Sequence, residues 1–173
     1  MNVDFPSQVG SNSSGFLRNN YSDYLIVAFV AILLASVVGK LGDHNLEKNR
    51  PPFAPPRDLA ILIWAFALAF LAMGVYRGAS CVDPARATTI NILFFLQIIF
   101  FIAWTVVYQR FNDYVNTLWS GFILIVLGLA TIFFLWQVRN IQAIILVLIY
   151  LVWVGYEVFN SWHIMKRCAQ NNS

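Results

Sequence analysis

Charge is what this sequence has least of. Only 11% of its 173 residues are charged, against about a quarter in a soluble globular domain, so the soluble class does not fit. The net charge of +3 is scattered along the chain and forms no basic stripe, which argues against nucleic acid as a partner. Cys81 and Cys168 are two lone cysteines, with neither metal-ligand spacing nor a disulfide framework. The 2 histidines, His44 and His163, fall in a loop and near a helix end, and no His or Cys cluster makes a metal site. Glu157 is the single acidic residue inside the apolar stretches, leaving no carboxylate pair for hydrolysis or for a proton relay. No glycine-rich phosphate cradle is found either. No catalytic residue, metal or required cofactor is therefore expected.

What is abundant is apolar surface. Apolar residues make up 60% of the chain and the mean hydropathy is +0.68. Lipid offers the backbone no hydrogen-bond partners, so a chain of this kind crosses a bilayer as helices of roughly 17 to 25 apolar residues. Five stretches qualify, at about 24–41, 59–76, 87–108, 118–138 and 141–165. The expected fold is an all-α membrane protein, a five-transmembrane-helix bundle over 24–165. A polar, flexible tail is expected over 1–23 without the features of a signal peptide, a proline-rich loop over 42–58, and a cytosolic C-terminal tail over 166–173. An odd number of spans and the absence of internal similarity disfavour a transporter built from inverted repeats.

An odd helix count puts the two termini on opposite sides, and basic residues then decide orientation. Arg18, Arg77, Arg86 and Arg139 lie on the N-terminal side, whereas Lys40, Lys48, Arg50, Arg57, Arg110, Lys166 and Arg167 lie on the other. The richer side, with the C-terminus, is expected in the cytosol. Asn12 and Asn20 open formal glycosylation sequons, which matter only if the tail reaches a lumen.

The 15 Phe, 7 Tyr and 6 Trp exceed what a plain bundle needs, so some serve interfacial belts or line a cavity. On the fifth stretch Trp153, Tyr156, Glu157 and Asn160 stand at i, i+3, i+4 and i+7, on one helix face. Burying Glu157 without a partner costs several kcal/mol, so that face is expected to point inward. On the third stretch Gln97, Phe101, Trp104 and Tyr108 share a side; they either complete a pocket or fill the bundle, with Gln97 bonding a neighbouring helix. Before the second stretch, Pro51, Pro52, Pro55 and Pro56 flank Phe53. Such a run is stiff and non-helical, and is either a lid over a cavity or a helix-starting linker.

These residues resemble a known family. Pro51-Pro52-Phe53-Ala54-Pro55-Pro56, with Trp64 eight positions on, is similar to the Pro-x-Trp-x-Pro-Pro loop and following Trp of the translocator protein and tryptophan-rich sensory protein family, formerly the peripheral benzodiazepine receptors. Met73-Gly74 echoes its Met-Gly two residues late; Gln97 with Trp104 resembles its third-helix pattern; and Trp119 resembles the Trp opening its fourth helix. Tyr150-Leu151-Val152-Trp153-Val154-Gly155-Tyr156 resembles its Tyr-Leu-x-Trp-Val-x-Phe, and Asn160 falls one residue before its Leu-Asn asparagine.

The resemblance implies a bundle that binds porphyrins or haem, sterols and isoquinoline-type ligands, usually as a homodimer, in a bacterial inner or mitochondrial outer membrane. It places Trp64, Trp104, Trp119 and Trp153 in the pocket and makes the proline strap with Phe53 a lid. Light-dependent porphyrin degradation, or translocation of sterol or porphyrin, are the alternatives it brings. The departures are Phe53 for a Trp, Asp58 for a Trp, Phe101 for an Asn, and Glu157 where the family is usually small. A carboxylate there narrows the pocket and adds charge. The family's C-terminal cholesterol-recognition pattern fails, because the first basic residue after Tyr156 is Lys166.

Overall fold

A computed structural model describes residues 20–41, 51–107 and 114–171. Among these the chain forms five helices and no strand: α1 Tyr21–Leu41, α2 Arg57–Ala79, α3 Pro84–Val106, α4 Tyr114–Gln137 and α5 Ile141–Asn171. The last four are long and apolar enough to cross a membrane, and α1 contributes the shorter apolar run Tyr21–Val37. His44, Lys48, Tyr108 and Arg110, with most of the expected N-terminal tail, lie outside the described residues.

The helices outrun the stretches that hydropathy marked, because caps set helix ends whereas hydropathy marks only what suits lipid. Helix α3 reaches back to Pro84, since the Asp83 side chain accepts a hydrogen bond from the Arg86 N–H at 3.1 Å and proline suits the first helical position. Helix α2 starts directly after Pro56, so Arg57 and Asp58 belong to it and not to the loop. Tyr21–Asp23 are already helical, and the expected C-terminal tail continues α5 as far as Asn171. Helix α4 ends at Gln137, and two residues on Arg139, whose φ of 56° is left-handed, closes the turn, its N–H donating to Trp136 O and that of Asn140 to Leu135 O. Asn140 then caps α5, its Oδ1 accepting from Ala143 N at 3.1 Å while its Nδ2 donates to Arg77 O of α2.

Neighbour contacts run α1–α2–α5–α4–α3 and back to α1, with α2 also touching α3 across the bundle. These helices are apolar on every side, so size decides which face turns inward. Lipid tails are as apolar as leucine, and close backbone approach is what holds such helices together. The small residues accordingly line the seams: Ala28 and Ala31 on α1, Ala67, Ala72 and Ala79 on α2, and Ala143 on α5 are buried. At Gly74 a Cβ would stand 2.9 Å from the Ala143 carbonyl oxygen and 2.9 Å from Val147 Cγ2. Large side chains such as Phe29, Phe66, Ile99, Val126 and Phe133 face outward.

The α2–α5 seam yields a paired expectation. Gly74→Ala is expected to lower stability in a detergent or nanodisc melt by about 1–2 kcal/mol, since a backbone oxygen must move. At Gly155 a Cβ meets nothing within 4 Å, and Gly155→Ala is expected to leave the melt unchanged or raise it by up to about 1 kcal/mol. Equal melts for the two variants would show that α2 and α5 are not in this contact.

Candidate functional site

Three helices bring aromatic rings to one place. Helix α2 touches both α3 and α5, and Trp64 stands where the three meet. Its ring centroid lies 4.7 Å from Phe101, 5.4 Å from Trp104 and 6.1 Å from Trp153. Phe101 and Trp104 stack at 24° on one side, and Trp153 stacks on Tyr156 at 5.0 Å and 22° on the other. Trp64, Phe101 and Trp104 are buried and Trp153 and Tyr156 half-buried, so these indoles turn inward. Helix α4 makes room with Gly121, where a Cβ would meet Val158 Cγ2 at 2.4 Å and come within 4.0 Å of Trp104 Nε1.

A polar stripe on α5 runs along the same cluster. Glu157 is 7% exposed and Asn160 4%, one and two turns beyond Trp153 on its face. Trp153 Nε1, a donor, and Asn160 Oδ1, an acceptor, are both buried without a hydrogen-bond partner. Most buried polar atoms in folded proteins are partnered. Two orphans two turns apart on the wall of an aromatic cluster are therefore a chemical signature.

Gln97 lies about one turn deeper. Its Nε2 donates to Thr131 Oγ1 of α4 at 3.0 Å and to Leu93 O at 3.3 Å, so it ties two helices together, while its Oε1 is left unpaired. Of the two roles open to Gln97 in the sequence, this contact is the interhelical one.

The proline strap sits beside the cluster. Ala54 N–H closes a turn on Pro51 O at 3.0 Å, Pro51 is buried, and Pro52 and Pro56 are exposed. The Tyr156 hydroxyl donates to the Phe53 carbonyl at 3.2 Å, tying strap to α5 next to Trp153. The Phe53 ring itself lies on the outer flank of α5, 5.4 Å from His163 and 6.1 Å from Phe159, and it is 47% exposed. Its backbone, not its ring, faces the aromatic cluster.

Trp119 is not brought to the cluster. It is 65% exposed and contacts Phe122, while Trp136, near the other end of α4, is 71% exposed. Seventeen residues of helix separate them, about 25 Å at 1.5 Å per residue, close to the thickness of a hydrocarbon core. Both suit interfacial belts. Trp162, with Lys166 Nζ 3.9 Å from its ring centroid, belongs to the belt on the strap side.

Sequence reading did not single out Tyr24, which is fully buried, donates to Asn91 Oδ1 at 2.7 Å and packs on Tyr76 and Phe94. It also passed over Thr131, the partner of Gln97, and named Tyr150, which is fully buried, only as part of the motif around Trp153. A tyrosine opening an apolar helix reads as an interface residue, and only a neighbouring helix reveals Asn91.

The TspO/MBR family model matches residues 24–167. A comparison with curated proteins found no match. The strap geometry gives its own test: Tyr156→Phe removes one hydrogen bond worth about 1 kcal/mol. Amide exchange at Phe53 and Ala54 is expected to rise about fivefold, with the global melt little changed. Unchanged exchange would mean that the hydroxyl does not hold the strap.

Proposed function

The chain belongs to the TspO/MBR family, and from that membership and the aromatic cluster we propose that it is a five-span membrane protein binding large, flat, apolar molecules between α2, α3 and α5. Porphyrins are the leading ligand class, with sterols and isoquinoline-type compounds as further members. The observation that carries this reading is the meeting of Trp64 with Phe101, Trp104 and Trp153 at 4.7–6.1 Å. Its homodimeric state and a cytosolic C-terminus belong to the same proposal.

The membrane changes what can drive binding. A ligand arriving from lipid has already left water, so burying its apolar area again adds little. Stacking does discriminate, because acyl chains carry no π surface. Each aromatic pair contributes about 0.5–1.5 kcal/mol beyond burial, and a macrocycle inserted beside Trp64 exchanges ring–ring contacts for ring–ligand contacts over a larger area. Rings set 4.7–6.5 Å apart must part to admit it. Pro51–Pro56 and the Tyr156 contact stand at the edge where such an opening begins. A separate apolar groove of about 410 Å³ lies between α1 and α2, lined by Leu25, Ile26, Ala28, Phe29, Ile32, Ala65 and Ala69; with Phe29 its one ring and no polar side chain in the lining, it suits an acyl chain.

The test is titration of the protein in nanodiscs with protoporphyrin. Saturable quenching of tryptophan fluorescence in the micromolar range is expected, reduced at least tenfold in affinity in Trp104→Ala/Trp153→Ala while Trp119→Ala binds as the parent. Equal quenching in all three would remove the cluster as the site. Illumination of the same sample separates binding from degradation: binding alone leaves the porphyrin absorbance no less stable than with free tryptophan, whereas an oxygen-dependent loss beyond that control would favour an enzyme.

A further inference from the structure

Helix α5 is 31 residues long, about 46 Å at 1.5 Å per residue, whereas a hydrocarbon core is about 30 Å thick, so its last turns leave the acyl region. The side chains on its outer face mark where. Phe159, Trp162, His163, Lys166 and Arg167 fan across an arc of about 140° at 3.6 residues per turn and pass from rings to cations within little more than two turns. All are exposed except His163, which is half-buried. The rings of Phe159, Trp162 and, from the strap, Phe53 stand 4.4, 5.1 and 5.4 Å from that of His163. The His163 Nδ1 lies 3.3 Å from the Phe159 carbonyl oxygen, so the imidazole serves the helix and the rings. The Lys166 ammonium rests 3.9 Å from the centroid of the Trp162 ring, and a cation on an aromatic face keeps N–H groups for an anion. From Val158 to Asn171 the helix carries no acidic residue, and Glu157 lies on its opposite, buried side.

We infer that this outer face of α5 seats an anionic phospholipid, with Lys166 and Arg167 on its phosphate and Phe53, Phe159 and Trp162 against its glycerol and first methylenes. The order of the groups along the helix selects that occupant. Exposed rings followed at once by cations match a molecule that is apolar on the side of the bilayer centre and negative on the side of water. Trp162 holds the Lys166 ammonium about one turn beyond the rings, so the charge is positioned before a ligand arrives. Arg167 adds a planar fork that suits two phosphate oxygens at once. A zwitterionic lipid offers the same phosphate but carries an ammonium beyond it, which two side-chain cations repel; a lipid of net negative charge has none. This seat lies on the lipid side of α5 and is distinct from the ring site between α2, α3 and α5.

Acyl-brominated lipids report which lipid lies next to a chosen indole. Single-tryptophan variants of the full chain that keep Trp162 or Trp119, with phenylalanine at the other indole positions, are reconstituted in phosphatidylcholine containing a minor fraction of brominated phosphatidylglycerol or brominated phosphatidylcholine. Trp119 is exposed near the start of α4, on the same side of the bundle, and so reports the general attraction of that leaflet for anions. At Trp162 the anionic lipid is expected to quench at least about fivefold more effectively than the zwitterionic one, the effect of a single cation near anionic lipid, while at Trp119 the two differ less than twofold. Lys166→Gln with Arg167→Gln is expected to bring Trp162 to the Trp119 ratio, with quenching by brominated phosphatidylcholine retained as the sign that α5 still spans. In the parent chain, with every tryptophan in place, native mass spectrometry from mixed micelles is expected to retain one phosphatidylglycerol per chain, lost in the same double variant. Equal ratios at Trp162 and Trp119, a Trp162 preference that survives both substitutions, or no retained phosphatidylglycerol would overturn the seat. Quenching of Trp162 by neither lipid would overturn it as well, because a protein surface such as a second copy of the chain would then cover this face.

Discussion

Trp64 reaches from α2 to rings on α3 and on α5, and this three-way contact is the constraint that gives the rest of the molecule its meaning. In lipid no hydrophobic force gathers apolar side chains at the centre of a bundle, because they are equally comfortable outside. Indoles and phenyl rings that meet at 4.7–6.1 Å are held there by packing geometry and by π contact. The small residues that let α2 close on α5, Gly74 against Ala143 above all, set the distance at which Trp64 and Trp153 face each other. Gly121 does the same for Trp104 on the side of α4.

The sequence makes much of this legible because membrane helices have so few choices. Four long apolar helices and a shorter apolar one are forced by the need to satisfy every backbone group internally, and their order and number follow from counting. The face of α5 was equally readable: Glu157 could not turn to lipid, so Trp153 and Asn160, at helical spacing from it, had to turn inward with it. Helix ends were less legible, since Asp83, Pro56 and the left-handed Arg139 determine them and a hydropathy window is blind to caps. The two aromatics displaced from their expected places, Trp119 and the ring of Phe53, share one cause. Motif order says which residues lie near one end of a bundle, but the same rings serve as pocket walls and as interfacial anchors. Rotation about the helix axis separates the two roles, and for Trp119 no charged neighbour at helical spacing fixed that rotation.

The polar groups divide by depth. Gln97 and Thr131 bond across the α3–α4 seam, Tyr24 and Asn91 across α1 and α3, and both belong to the framework. Trp153 Nε1 and Asn160 Oδ1 are buried and unspent in the layer where the rings meet. Gln97 Oε1 and the Tyr150 hydroxyl are buried without partners as well, so unpaired polar atoms occur in the framework too, and what sets Trp153 Nε1 and Asn160 Oδ1 apart is their place on the α5 face that carries the ring cluster.

The inward turn of the indoles is the claim on which all of this depends, and brominated lipids read it directly. In single-tryptophan variants, with phenylalanine at the other indole positions, reconstituted into acyl-brominated bilayers, bromine quenches only those rings that touch lipid. Trp64 and Trp104 are expected to keep nearly their full fluorescence, while Trp119 and Trp136 are strongly quenched. Quenching of Trp64 and Trp104 as deep as that of Trp119 would contradict the account, because those rings would then face the acyl chains and could enclose nothing.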